Sequence, residues 1–305
     1  MSSSKRHHCP GQSWSSVQWS RSSRDSGSGA DLSGGQFDSA QLQGVDLTGV
    51  NLPKSWVREA DFTKAQIGGV QFGELPYLQE DKQVLSCAYS PDGRWLAAGL
   101  ENGLISIYDT TTWTKIQVPQ GHQGYTVSLA FSPSSYQLLS GSGHKIVRLW
   151  DCETWTTGFI LEGHTDYVRA VAFCPSGDQV ASGSDDGTVR LWNPLTGAVI
   201  FVLTGHTKDV MCLTYAPDRR HIASGSKDRT IRIFDTQTED GIVLRGDCEW
   251  INCISYSLDG GRIVAGDSGG NVYVWEAATG ALGLVWKGHS GVPKVSPFHR
   301  MANGS

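Results

Sequence analysis

The 305-residue chain is 39% hydrophobic and 18% charged, with 37 glycines, 11 tryptophans and a net charge of −5. That is apolar material enough for a packed core, with the turn and aromatic bias of many short strands. The acid excess argues against a phosphate-binding surface, and no apolar run nears the roughly 20 residues that cross a bilayer.

Residues 1–29 are rich in Ser, Arg and Gly and poor in aliphatics. Such a stretch buries too little surface to offset its ordering entropy and is expected to be a disordered, solvated tail. Ser20–Ser26 offers phosphorylation sites within it. The charges at Lys5 and Arg6 have no apolar stretch behind them, so this is not a secretory signal. His7, His8 and Cys9 would hold a metal only weakly, and no metal site is assigned. The seven cysteines include no C-x-x-C pair, which gives neither a disulfide framework nor a zinc site. Cys212 and Cys253 fall at equivalent points of two strand patterns, as core residues do. A reducing, cytoplasmic setting is the simplest inference, with the nucleus as an open alternative.

From residue 30 a period of five begins. Its centres are Leu32, Phe37, Leu42, Leu47, Leu52, Val57, Phe62, Ile67 and Phe72, all apolar. Small or β-branched residues stand two places earlier, from Ala30 and Gly35 to Val70. Neither a helix nor a flat strand has this period, so the chain must turn a corner every five residues. Ala30-Asp31-Leu32-Ser33-Gly34 and Ala60-Asp61-Phe62-Thr63-Lys64 resemble the unit of the pentapeptide-repeat family. The resemblance implies a short right-handed β-solenoid, here with its linker over 30–79. Solenoids need capped ends, and this one is expected to lean on the next domain of the chain.

From residue 84 a longer period takes over. Trp-Asp or a substitute recurs at Tyr108-Asp109, Trp150-Asp151, Trp192-Asn193, Phe234-Asp235 and Trp275-Glu276. Gly-His or a relic recurs at Gly121-His122, Gly163-His164, Gly205-His206, Gly246-Asp247 and Gly288-His289. Alternating runs and turns lie between them, such as 168–173 and 179–183. Period, dipeptides and turns together resemble the WD-repeat family over residues 80–290. The expectation is an all-β propeller with five recognisable blades, followed by an irregular tail at 291–305. Beyond Trp286-Lys287-Gly288-His289-Ser290, which begins a sixth repeat, the alternating strand is lost. The family usually closes with seven blades, so the ring is expected to be incomplete: the chain is truncated or mis-spliced, or the ring is completed by a partner or by self-association.

The resemblance also assigns a buried hydrogen-bonded network to His164, Ser182, Asp186 and Trp192. Blade two keeps His122, Ser140 and Trp150, with His144 in place of the aspartate. Blade four keeps His206, Ser224 and Asp228, with Phe234 in place of tryptophan. Blade one has Ala98, Asn102 and Tyr108, and blade five has Asp247, Ala265, Gly269 and Trp275, so both outer blades are expected to open first. A His, a Ser and an Asp in contact invite a hydrolase reading. The trio instead repeats blade after blade with Ser in a strand interior, which favours a structural role and no catalytic residue.

Carried over from the family, the exposed top-face positions are Gln83, Leu85 and Glu101 in blade one, and Tyr125, Val127 and Gly143 in blade two. They continue with Tyr167, Arg169 and Asp185, then Asp209, Met211 and Lys227, then Trp250, Asn252 and Ser268. Aromatics and arginine on one rim match interface hot spots, although Tyr125, Tyr167 and Trp250 also suit gap-filling between blades. The expected function is a non-catalytic scaffold or adaptor for a protein or peptide, with no cofactor, nucleic acid or membrane involved. No G-x-x-x-x-G-K-[ST] loop is present, so no phosphate-loop NTPase is carried here. Pentapeptide repeats followed by WD repeats also resemble the rear half of fungal NACHT-type (STAND-class) signalling proteins, whose propeller is a sensor. That resemblance implies, as the alternative, the regulatory portion of a larger signalling NTPase.

Overall fold

The computed structural model describes residues 78–117, 119 and 121–288, with 47–48, 51–52, 64, 66 and 71–72 of the segment before them. The tails expected at 1–29 and 291–305, and most of the five-residue repeat, lie outside the described residues. The chain divides into two compact units, 1–79 and 80–305.

In the first unit Asn51–Leu52 pairs in parallel with Gln71–Phe72, Asn51 opposite Gln71 and Leu52 opposite Phe72. The offset is 20 residues in both pairs, which is four five-residue units. A chain that corners every fifth residue returns beside itself after four corners, so the pairing has the spacing of one square coil. The Leu47 amide bonds the Gln66 carbonyl at 2.8 Å, and the Leu47 side chain is buried.

The second unit is built from five four-stranded antiparallel sheets, each an uninterrupted meander. Blade one uses Val84–Tyr89, Trp95–Leu100, Ile105–Asp109 and Lys115–Gln117. Blade two uses Thr126–Phe131, Gln137–Ser142, Val147–Asp151 and Thr156–Leu161. Blade three uses Val168–Phe173, Val180–Ser184, Val189–Trp192 and Val199–Leu203. Blade four runs Val210–Tyr215, His221–Ser226, Thr230–Asp235 and Gly241–Arg245, and blade five Ile251–Tyr256, Arg262–Asp267, Asn271–Glu276 and Leu282–Lys287. The fold is the all-β, five-bladed architecture that the resemblance implies.

The sheets hold together through their faces. Four apolar clusters each sit between two successive blades. One joins Ala97, Ile105 and Ile107 of blade one to Leu129, Phe131 and Trp150 of blade two. Another joins Ile231, Ile233 and Leu244 of blade four to Ile251, Tyr273 and Trp275 of blade five. Glycine in the second strand is required by this packing: a Cβ on Gly183 would stand 2.7 Å from Val210 Cγ1 of the next blade. The glycines of the Gly-His pairs at 163 and 205 answer a second demand. Gly163 has φ +149°, and a Cβ there would meet the Arg190 guanidinium at 2.7 Å.

First strands of successive blades pack together from blade one through blade five, and among the described residues no packing of like extent joins blade five to blade one. Exposure records this. The first residue of the first strand is 0% exposed at Thr126, Val168, Val210 and Ile251, but 44% at Val84. In the fourth strand Leu161 and Leu244 are 1% exposed, whereas Trp286 at the same repeat position is 48% exposed.

Candidate protein-binding face

At one end of every blade, the loop entering the first strand meets the turn before the third strand. A backbone bond joins them each time: Glu101 to Gln83 (3.0 Å), Gly143 to Tyr125 (3.0 Å), Asp185 to Tyr167 (2.8 Å), Lys227 to Asp209 (3.0 Å) and Ser268 to Trp250 (2.8 Å). In each pair the first residue's amide donates to the second's carbonyl. A β-bulge comes immediately after. In blade three Val168 pairs with Ser184 and Ala170 with Gly183, leaving Arg169 as the extra residue. Leu85, Val127, Met211 and Asn252 take the same place in the other blades. A bulge leaves a residue unpaired and redirects its side chain, so all three top-face positions of each blade gather at one strand end.

Beneath this face lies a polar spine. In blade three Trp192 Nε1 donates to Ser182 Oγ (2.9 Å), Ser182 contacts His164 Nε2 (2.8 Å), and His164 Nδ1 faces Asp186 Oδ2 (2.8 Å). The acceptor-only carboxylate places the imidazole proton on Nδ1, leaving Nε2 to accept from the serine hydroxyl. Asp186 also accepts from the Thr165 amide and from the Thr188 amide and hydroxyl. Burial pushes this carboxyl up, but the bonds from His164, Thr188 and Thr165 outweigh it and hold it far below the usual carboxylate range. Ser182 is fully buried between tryptophan and histidine, so no substrate reaches its hydroxyl as a nucleophile.

The neighbouring blades run the spine with substitutions. Blade two links Trp150 to Ser140 (2.8 Å) and Ser140 to His122 (2.7 Å). Burial, then the charges of Arg148 and His144, pulls His122 down to about 3. Blade four links Ser224 to His206 (2.9 Å) and His206 to Asp228 (2.8 Å), with Phe234 contributing no donor.

Two clamps escaped sequence reasoning. In blade five the fully buried Asp267 takes the place of Ser184 and Ser226. Its carboxylate accepts from the Glu249 amide (2.9 Å), the Asn271 amide (2.8 Å) and Tyr273 (3.1 Å). In blade one Glu80 accepts from the Tyr108 hydroxyl and pairs with Lys115 at 2.8 Å. The Ser-to-Asp change at 267 was a usable signal; Glu80 stands ahead of the first strand, outside the repeated markers, and gave none.

On the surface, charges are largely matched within the face. Arg169 holds Asp185 by two bonds, at 2.8 and 2.6 Å, and its guanidinium lies 5.6 Å from the Tyr167 ring centroid. Lys227 pairs with Asp209 at 2.6 Å and stands 5.2 Å over the Trp250 ring. Burial raises the Asp209 carboxyl, but the Lys227 bond outweighs it and the net is lowered. The aromatics remain open, Tyr125 being 49%, Tyr167 39% and Trp250 45% exposed. Met211 and Asn252 are half-buried on their bulges.

The profile of the WD domain, G-beta repeat family matches residues 76–109, 113–151, 155–193, 197–235 and 240–276, more than half of the chain. The chain belongs to the WD-repeat family. Pentapeptide repeats match over 28–63 and 40–73, in eight copies. No curated protein matches the chain. WD-repeat proteins are generally non-catalytic scaffolds that mediate protein–protein interaction. Among the described residues no cluster of His, Cys, Asp and Glu is arranged to hold a metal, and no helix is long and apolar enough to cross a membrane.

Proposed function

We propose that this WD-repeat protein is a non-catalytic adaptor that receives a protein or peptide on its top face. The observation that carries the reading is the rim of three exposed aromatics, Tyr125, Tyr167 and Trp250, at equivalent strand entries. Large rings left half in water at ordered positions supply contact area at low entropic cost, as hot spots do. The ligand is protein rather than nucleic acid or membrane, since the rim's cations are already paired with carboxylates. Six free cysteines among the described residues suit a reducing, cytoplasmic compartment. A photo-cross-linking amino acid placed at Tyr125 or Trp250 is expected to capture partner protein, and one at Arg262, far along blade five, is not. Adducts from Arg262 alone would sink the assignment.

The exposed Val84 and Trp286 favour an additional association with a second copy of this chain. They are the two halves of the contact that buries Leu161, Leu203 and Leu244 against the next blade. Blade five of one copy would therefore pack on blade one of another. Light scattering reads it directly: a mass rising with concentration is expected, and a monomer at every concentration rules it out. The order of pentapeptide units before WD repeats also supports the sensor portion of a fungal NACHT-type signalling NTPase as the alternative. An in-frame phosphate-loop module encoded upstream would decide for that alternative.

A further inference from the structure

The top face repeats one arrangement three times and completes it twice. Its parts are an exposed ring, a carboxylate beside it and a cation that serves both. In blade three these are Tyr167, Asp185 and Arg169. Across blades four and five they are Trp250, Asp209 and Lys227. Across blades one and two the ring is Tyr125 and the carboxylate is Glu101, and among the described residues no lysine or arginine lines the cavity with them.

The missing cation has a cause in the sequence. Val127 holds the repeat position of Arg169, Glu101 itself holds that of Lys227 in the blade before the ring, and Gly143 holds that of Asp185. A Cβ on Gly143 would lie 3.4 Å from Tyr125 Cδ2, in van der Waals contact with the ring. Glycine leaves the ring bare. A cavity of about 380 Å³ opens at this point, walled by Glu101, Tyr125, Gly143, His144 and Tyr167. Glu101, half-buried, is its one carboxylate, and among the described residues no ion pair engages it.

We propose that this cavity receives a lysine or arginine side chain of the protein partner, its cation over Tyr125 and paired with Glu101. The proposal rests on the top-face reading and specifies its ligand. A cation desolvated against a ring gains more than one in water, and Glu101 would supply the countercharge. The volume suits one long side chain and not a folded segment.

The probes are Nα-acetyl-lysine methylamide and Nα-acetyl-arginine methylamide, titrated into the full, nitrogen-15-labelled chain. Saturable shifts are expected at the Gly124 and Gly143 amides, with millimolar affinity, and none from the norleucine analogue. Glu101→Gln and Tyr125→Ala should each weaken binding by about tenfold. Glu101→Lys, which sets a lysine where Lys227 stands in blade four, should abolish it while the melting temperature holds. Shifts absent with both cations, or equal with norleucine, would overturn the proposal. Failure here, with cross-links at Tyr125 and Trp250 retained, would remove the cation pocket and leave the adaptor reading standing.

Discussion

Lys227 of blade four stands 5.2 Å over the ring of Trp250 in blade five while pairing with Asp209 at 2.6 Å. One ammonium thus bridges a blade junction on the face assigned to partner binding. Both partners are partly exposed, so the pair adds little stability, less than about 1 kcal/mol. Lys227→Met should leave the melting temperature nearly unchanged. It should also open a second ring-and-carboxylate site, so that acetyl-lysine methylamide newly shifts the Trp250 indole signal. An unchanged indole signal would show that ring and carboxylate do not suffice.

Ser182 and Ser224 occupy the same position in different surroundings. Ser182 serves both Trp192 and His164, whereas Ser224 serves His206 alone. Each buried group left unsatisfied costs about 1–3 kcal/mol. Ser182→Ala should therefore cost about 2–4 kcal/mol in urea denaturation, and Ser224→Ala about 1–2 kcal/mol. Equal losses would mean that the tryptophan bond adds nothing.

His122 predicts a pH dependence. Its folded-state pKa lies at about 3, against 6.5 ordinarily. Below 6.5 the unfolded chain binds a proton that the folded chain refuses, so stability rises with pH from about 3 to 6.5 and is complete above that. At pH 5 the loss should be about 2 kcal/mol relative to pH 7.5. Asp186 and Asp228, both depressed, contribute fully above the ordinary carboxylate range and lose their effect only at lower pH. His122→Gln should flatten the urea midpoint between pH 5 and 7.5; an unaltered slope would assign it elsewhere.

Trp113 and Trp155 share a left-handed turn position, at φ 56° and 55°, which blades three and five fill with Gly197 and Gly280. A non-glycine residue there carries strain of about 1 kcal/mol or more. Trp155 is buried and meets Trp95 of blade one edge-on, with centroids 5.9 Å apart. Trp155→Gly should cost about 2–4 kcal/mol, the lost packing exceeding the relieved strain. Trp113→Gly, at a half-buried position, should cost less than half of that. A reversed order would show that the turn, and not the tryptophan contact, governs this junction.

How much the sequence discloses depends on how local each feature is. The Gly-His and Trp-Asp markers disclose the blades because each blade must rebuild the same turns, and blades two to four the same Ser-Gly-Ser strand. The five-residue period likewise foretells the 20-residue offset between Asn51 and Gln71. The clamps at Glu80 and Asp267 stayed hidden because they replace the repeated residues with different chemistry at different positions. Charge matching on the top face was hidden too. Whether Arg169 reaches Asp185 depends on a bulge geometry that residue identity does not specify. Composition shows only a net acid excess, whereas geometry distinguishes the paired carboxylates Asp185 and Asp209 from Glu101.

The adaptor reading stands most directly on comparative capture. Wild type and a Tyr167/Arg169/Trp250 alanine variant of unchanged melting temperature would serve as baits in the same lysate, with bound proteins quantified by mass spectrometry. The account predicts that specific partners of the wild type fall by at least about tenfold on the variant, as loss of clustered hot spots requires. Identical partner profiles from the two baits would contradict it.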